Sequence, residues 1–150
     1  MGILLTPPVF YDTEGNKAKI RGMLAGLNQG NIHAYDDFMA SDVILHQESS
    51  PAPVKGTKWL KMEDGMLHAA FHDLSITAQS MTATGDRVAT RLLYSGTHSG
   101  EYMGIPGSGQ QYAWSGMVID RFEDGVIVER WVNVDRFTLL QQVGMIPRFG

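Results

Sequence analysis

The segment 126–134 alternates with period two, so Val126, Val128, Arg130, Val132 and Val134 share one face of a strand. Four valines around one arginine is an odd composition for a face turned to solvent. An unpaired charge there would cost several kcal/mol, so Arg130 calls for an anionic partner or a ligand. Two uses fit: a structural salt bridge to Asp120 or Asp135, or a cation aimed at a carboxylate, enolate or carbonyl oxygen in a pocket. On the preceding strand Trp114, Gly116, Val118 and Asp120 share a face, which sets an indole and a carboxylate on one surface. Along 87–98 one face carries Val88, Thr90, Leu92, Tyr94 and His98, and the other Arg91, Leu93 and Ser95. Tyr94 could therefore donate a hydrogen bond to a ligand or serve as core with a wet hydroxyl, but it does not share a face with Arg91. His68 and His72 are spaced i, i+4 on a helix, as metal ligands can be. No third ligand accompanies them, and a histidine near a helix C-terminus is favoured in any case, so no metal is expected. Gly104, Gly107 and Gly109 lack the lysine and the strand–helix context of a phosphate loop.

These groups need elements to hold them. Residues 1–15, with Pro7 and Pro8, read as an N-terminal arm, 16–144 as one domain and 145–150 as a tail. From Asn16, Ile20, Met23, Leu24 and Leu27 fall at i, i+3, i+4 and i+7, the stripe of a helix closed near Gly30. A short helix over 32–39 turns Tyr35, Phe38 and Met39 inward, and a brief strand over 43–46 follows. Gly56-Thr57 opens a third helix whose apolar set is Trp59, Met62, Met66, Ala69 and Ala70. Strands are expected over 74–82, 87–98, 112–121 and 126–134, with hairpin turns at Thr84-Gly-Asp86 and Glu123-Asp-Gly125 and a glycine-rich loop over 99–110. A last helix, 136–143, stops at Gly144. Helices followed by antiparallel strands make an α+β fold, the helices covering one face of a curved sheet around a ligand-sized gap.

Composition narrows the partners. The 150 residues are 43% hydrophobic and 19% charged, ordinary for one globular domain. The net charge of −4 is dispersed and no basic stripe exists, so nucleic acid is not an expected partner. Cysteine is absent, which removes disulfides and thiolate chemistry and fits a reducing cytoplasm. No apolar run approaches the roughly 18 residues that cross a bilayer, so no membrane is expected. The start, Met1 to Thr6, matches the myristoylation pattern only formally, and the nine methionines read as plastic core and cavity lining.

The stretch Gly96–Asp135 resembles the SnoaL-like polyketide cyclases of the NTF2-like group. The matching pieces are Gly96-Thr-His98, Gly100-Glu-Tyr102, Gly104-Ile-Pro106, Arg121-Phe-Glu-Asp-Gly125, Glu129-Arg-Trp131 and Asp135. Upstream, Asp42-Val-Ile-Leu-His46 and Thr84-Gly-Asp-Arg-Val-Ala resemble the family's first strand and its hairpin, and Leu139–Gly144 its end. The resemblance implies a cone-shaped α+β barrel and, in anthracycline-type members, a cofactor-free intramolecular aldol closure driven by an aspartate with a nearby histidine. Counted from the Asp124-Gly125 turn, those two positions fall on Val132 and Val118, which transfer no protons.

The resemblance therefore points to other groups. Asp120, two positions beyond the family's histidine, is the first candidate for a replacement acid/base; its bland reading is a surface charge at a strand end. His46 occupies a position where family members place a polar pocket residue, and it reads equally as a satisfied core histidine. His98 belongs to the family motif, as a turn stabiliser or a site residue. The expected catalytic set is Asp120, His46 and Arg130, with Tyr94, Trp114, Val118, Val132, Trp59 and His98 against the substrate. The expected activity is cofactor-independent proton transfer or ring closure on a small apolar oxygenated molecule. The alternatives are a non-catalytic small-molecule binder, favoured by the two valines, and an epoxide hydrolase-like enzyme whose relay resembles Asp120, Arg130 and Asp135. Family resemblance also implies a homodimer through the outer sheet face, where Trp131 and Ile127 would lie opposite Arg130.

Overall fold

The structure is a computed structural model, and it describes Gly2 and residues 9–148. The formal lipidation match and the proline pair of the arm lie outside the described residues, apart from Gly2. Among the described residues four helices and six strands follow in the order α1 (Thr13–Asn28), α2 (Ala34–Phe38), β1 (Met39–Gln47), β2 (Val54–Lys55), α3 (Lys58–Ala70), β3 (Ser75–Thr84), β4 (Arg87–Thr97), β5 (Gln111–Glu123), β6 (Val126–Val134) and α4 (Arg136–Val143). The strands form one curved sheet in the order β2-β1-β6-β5-β4-β3. The fold class is the expected α+β arrangement.

The α1 stripe is buried as its periodicity requires, with Ile20, Met23, Leu24 and Leu27 at most 7% exposed. Asp12 caps the helix through the Gly15 amide. At its far end the Asn28 side chain accepts from the Ile76 amide at 2.7 Å and donates to the Ile76 carbonyl at 2.9 Å, clamping α1 to β3. The β5–β6 hairpin turns on Asp124 and Gly125, both at positive φ, the type I′ geometry that matches strand twist. Gly144, at φ 89°, closes α4 in the left-handed conformation.

Three expectations are corrected. The sheet is not wholly antiparallel, because β1 pairs parallel with β6, Leu45 opposite Arg130. The inward face of α3 is Leu60, Asp64, Leu67 and Ala70, while Met62 is 53% exposed and Met66 39%. Finally, Ile127 is fully buried beside Phe122 rather than on the outer face. The register between β5 and β6 slips there: Arg121 faces Glu129 but Phe122 faces Ile127. The extra residue, Val128, is a bulge that reverses the alternation, so Ile127 and Arg130 both point inward.

Candidate functional site

The concave face of the sheet and the helices above it enclose two small adjoining cavities. One is lined by residues of α1 together with Tyr35, Ile76, Thr90, Tyr94, Val118, Asp120 and Arg130. The other lies under α3 and α4, against Trp59, Asp64, Tyr94, Trp114, Arg130 and Val132, with Glu63 and Arg136 at its rim. Their volumes open to the centres of water molecules are about 20 and 40 Å³, room for one and a few waters. Arg130, Tyr35 and Tyr94 belong to both and form the partition.

Arg130 is held by register. Asp120 is its cross-strand partner. The guanidinium Nε donates to Asp120 Oδ1 at 2.7 Å and a terminal nitrogen donates to Oδ2 at 3.1 Å, a bidentate pair buried to 7% and 0% side-chain exposure. Burial would lower the guanidinium's pKa, but the Asp120 carboxylate holds it above its ordinary value. Arg130 thus stays a full cation in an apolar wall. Two of its five donors serve Asp120, and the others meet no acceptor among the described residues.

Tyr94 stacks on Trp114 with ring centres 5.5 Å apart and planes 9° from parallel. Gly116 makes the room, since a β-carbon there would come within 3.2 Å of the Tyr94 ring. Burial pushes the Tyr94 hydroxyl up to about 12 despite Arg130 nearby, and pushes Tyr35 well above its usual range, so both stay neutral donors. Val118 and Val132 face each other in register, both buried, at the heart of the inner face.

Several buried polar atoms of the lining residues have no hydrogen-bond partner among the described residues: the Thr90 hydroxyl at the first cavity, and the Trp114 indole N–H and Asp64 Oδ2 at the second. Such atoms are rare in folded interiors, and each calls for a water, an ion or a ligand to complete its bonding. Asp64 is 3% exposed. Its Oδ2 lies 3.2 Å from His68 Nε2, one turn along α3, but not in hydrogen-bond geometry. Burial raises the Asp64 pKa to about 6 from the usual carboxylate range, against the opposing pull of His68.

Of the expected site residues, Asp120, Arg130, Tyr94, Trp114, Val118, Val132 and Trp59 all line one or both cavities. Two do not. His46 points to the outer face, where Nε2 lies 2.7 Å from Glu129 and the ring stacks on Trp131. Strand alternation decides this, since Val43, Leu45 and Gln47 take the inner face of β1. His98 is fully buried behind the site, stacked on Phe71 and beside Tyr112, and lines neither cavity. The third member of the Asp-Arg-Asp relay also lies elsewhere: Asp135 caps α4, accepting from the Thr138 amide at 3.0 Å and its hydroxyl at 2.6 Å. His68 faces Asp64, and among the described residues no group of three or more His, Cys, Asp or Glu is placed to hold a metal.

Sequence reading missed Asp64, Tyr35 and Thr90 as cavity groups. The signal for Asp64 was present: it stands four residues from Leu60 and three from Leu67, a carboxylate in the middle of an apolar stripe. The competing stripe of Trp59, Met62 and Met66 outweighed it by hydrophobicity alone.

A six-stranded curved sheet capped by helices, with a polar-studded cavity beneath them, defines an α+β protein of the NTF2-like kind. The family model of the SnoaL-like polyketide cyclases matches residues 18–143, and the chain belongs to that family. Among solved structures, AclR from Streptomyces galilaeus, a proposed hydroxylase, is 30% identical with a TM-score of 0.82, over 93% of this chain and 87% of its own. IdmH from Streptomyces antibioticus, a proposed polyketide cyclase, is 32% identical with a TM-score of 0.75, over 86% of this chain and 98% of its own. TsrD from Streptomyces laurentii shares the fold at 24% identity and a TM-score of 0.77, over 91% of this chain and all of its own. No curated protein matches the chain. No helix among the described residues is long and apolar enough to cross a membrane.

Proposed function

We propose that the chain binds a small, largely apolar oxygenated molecule in the cavity beneath α3 and catalyses proton transfer next to a carbonyl group, with or without ring closure, using no cofactor. The observation that carries this reading is the Asp120–Arg130 pair, a cation fixed by two hydrogen bonds in a wall of valines and aromatics. A preorganised cation in an apolar site stabilises an enolate or alkoxide far better than the same group in water. Asp120 serves here as the counter-ion that aims the guanidinium. Both of its oxygens are engaged, so it is poorly placed to accept a proton. The Trp114 N–H and the Tyr94 and Tyr35 hydroxyls supply further donors along the same wall.

The cavities are small for a ring system, so entry requires side chains to move. The rim is the natural place, where Arg136 lies over the Trp59 ring at 5.6 Å and pairs with Glu48 and Glu63. The measurement is hydrogen–deuterium exchange at the α-carbon of α-tetralone in D₂O, followed by NMR. Wild type is compared with the double variant Asp120→Leu/Arg130→Met, which replaces the ion pair by apolar volume. Wild-type exchange that the double variant loses supports the reading. Equal exchange by both would remove Arg130 from the mechanism.

A carrier without catalysis is the second reading, favoured by Val118 and Val132 at the family's acid/base positions. Its test outcome is α-tetralone that quenches tryptophan fluorescence on binding while wild type catalyses no exchange. We also propose the outer sheet face as a homodimer surface, with Met117 60% and Ile119 41% exposed beside half-buried Trp131. Loss of dimer mass in light scattering on Trp131→Asp supports this, and an unchanged mass removes it.

A further inference from the structure

We infer that Asp64, with His68 one helical turn behind it, is the group that takes and returns the proton in this cavity, while Arg130 on the opposite wall receives the developing oxyanion. The inference rests on the acid/base reading above and moves its base from the sheet to helix α3.

The argument begins with what Asp64 displaces. Its neighbours on the inward stripe are Leu60, Leu67 and Ala70, and a leucine in its place would bury without cost. Instead the chain buries a carboxylate with one oxygen free of hydrogen bonds, on a wall whose other polar atoms include an unpaired indole N–H. Asp120 has no such free oxygen. A base needs a carboxylate open to the substrate, and Asp64 lines the same cavity as the cation, with His68 Nε2 3.2 Å from its Oδ2.

Charged and titratable groups face Asp64 from its own helix, from α2, from the sheet and from the rim. His68 shares its helix. Tyr35 from α2 and Tyr94 from β4 are held neutral by burial. From the sheet come Arg130 and, behind it, Asp120, locked as an ion pair; at the rim Arg136 is locked to Glu48 and Glu63. Burial places Asp64 itself at about 6, where carboxylate and acid forms interchange readily.

The substrate class follows: a ketone or ester bearing an acidic C–H next to its carbonyl, on an otherwise apolar frame. The Asp64 carboxylate takes the α-proton, and the C–H electron pair forms the enolate double bond while the carbonyl π pair moves to the oxygen beside Arg130. In exchange, the Asp64 carboxyl, its proton swapped with solvent, returns one to the same carbon. In ring closure, the enolate carbon bonds to a second carbonyl carbon of the molecule, that carbonyl becomes an alkoxide, and Asp64 gives its proton to the alkoxide oxygen. No oxidant or co-reactant is consumed.

The test follows α-tetralone exchange as a function of pH in wild type, Asp64→Asn, Asp64→Glu and His68→Gln, with tryptophan fluorescence and thermal melting as checks on binding and folding. Wild type is expected to gain rate through about pH 6 and then level. Asp64→Asn is expected to lose roughly 10²–10⁴-fold while still binding and melting normally. Asp64→Glu restores part of the rate. His68→Gln moves the pH midpoint upward without abolishing exchange, since His68 is the group that draws the Asp64 pKa down. Wild-type exchange that survives Asp64→Asn undiminished overturns this inference and leaves the acid/base reading standing. Binding without exchange in wild type overturns both.

Discussion

Strands β5 and β6 carry two arginine–carboxylate pairs in consecutive registers, Asp120 opposite Arg130 and Arg121 opposite Glu129. They use the same chemistry and the same backbone, and they point to opposite faces. The inner pair is sealed at 0% and 7% side-chain exposure, and its partners have only each other. The outer pair is at 22% and 18% and belongs to a looser group in which Arg121 also reaches Glu123 and Glu129 also meets His46. The difference lies in what surrounds each charge. Water can replace any outer partner, whereas an inner charge that loses its partner has only hydrocarbon and the cavity to turn to. A fixed, under-solvated cation is what a site for anionic intermediates requires, and a hydrated one is a surface charge.

The comparison breaks most visibly if one inner partner is removed. Asp120→Asn leaves Arg130 buried without a counter-ion and is expected to cost roughly 3–5 kcal/mol in urea unfolding. A cost below about 1 kcal/mol would mean the guanidinium finds water through the cavity. The next effect has the opposite sign. Asp64 titrates at about 6 in the folded chain, above its unfolded value, so between those two values the folded state binds the extra proton. Its contribution is greatest in acid and falls as pH rises toward 6. Asp64→Leu is therefore expected to raise stability at pH 8 by on the order of 2 kcal/mol and to flatten that part of the stability–pH curve.

On the outer face, Arg121→Ala is expected to cost only about 0.2–1 kcal/mol, with most of it lost in high salt. The smallest change is expected from His46→Gln, a few tenths of a kcal/mol, as for an exposed pair. That histidine is the main cause of the lowered Glu129 pKa, so the Glu129 contribution, present above its unfolded value and lost on acidification, should give way at a higher pH in the variant. An α-tetralone exchange rate unchanged in both outer variants would sharpen the contrast, since neither residue lines either cavity although Arg121 shares β5 with Asp120.

Much of this was legible beforehand because strands alternate and helices repeat. The face of Trp114, Val118 and Asp120 followed from counting by twos, as did the demand of Arg130 for an anion. The α1 stripe followed from counting by threes and fours. Where counting failed, a local event had changed the count. The Val128 bulge turned Ile127 inward, an effect no propensity of valine announces. His46 was assigned by position in a motif, and the parity of β1, set by Val43 and Leu45, overruled it. Asp64 was hidden because burying a carboxylate runs against the rule that finds helix faces. The residue that breaks the rule on α3 is also a carboxylate that lines the cavity.

The parallel contact of β1 with β6 has a consequence for the order in which the molecule is made. Leu45 finds its partner Arg130 only after β2, α3, β3, β4 and β5 have been synthesised. Until then β1 has only the two-residue strand β2 beside it, and its other edge lies open. The hairpins β3–β4 and β4–β5 can assemble locally as the chain emerges, but the site wall is among the last surfaces to exist. A nascent chain paused before residue 126 would hold Asp120 without its cation and β1 without its neighbour, a state in which chaperones would find the greatest exposed edge.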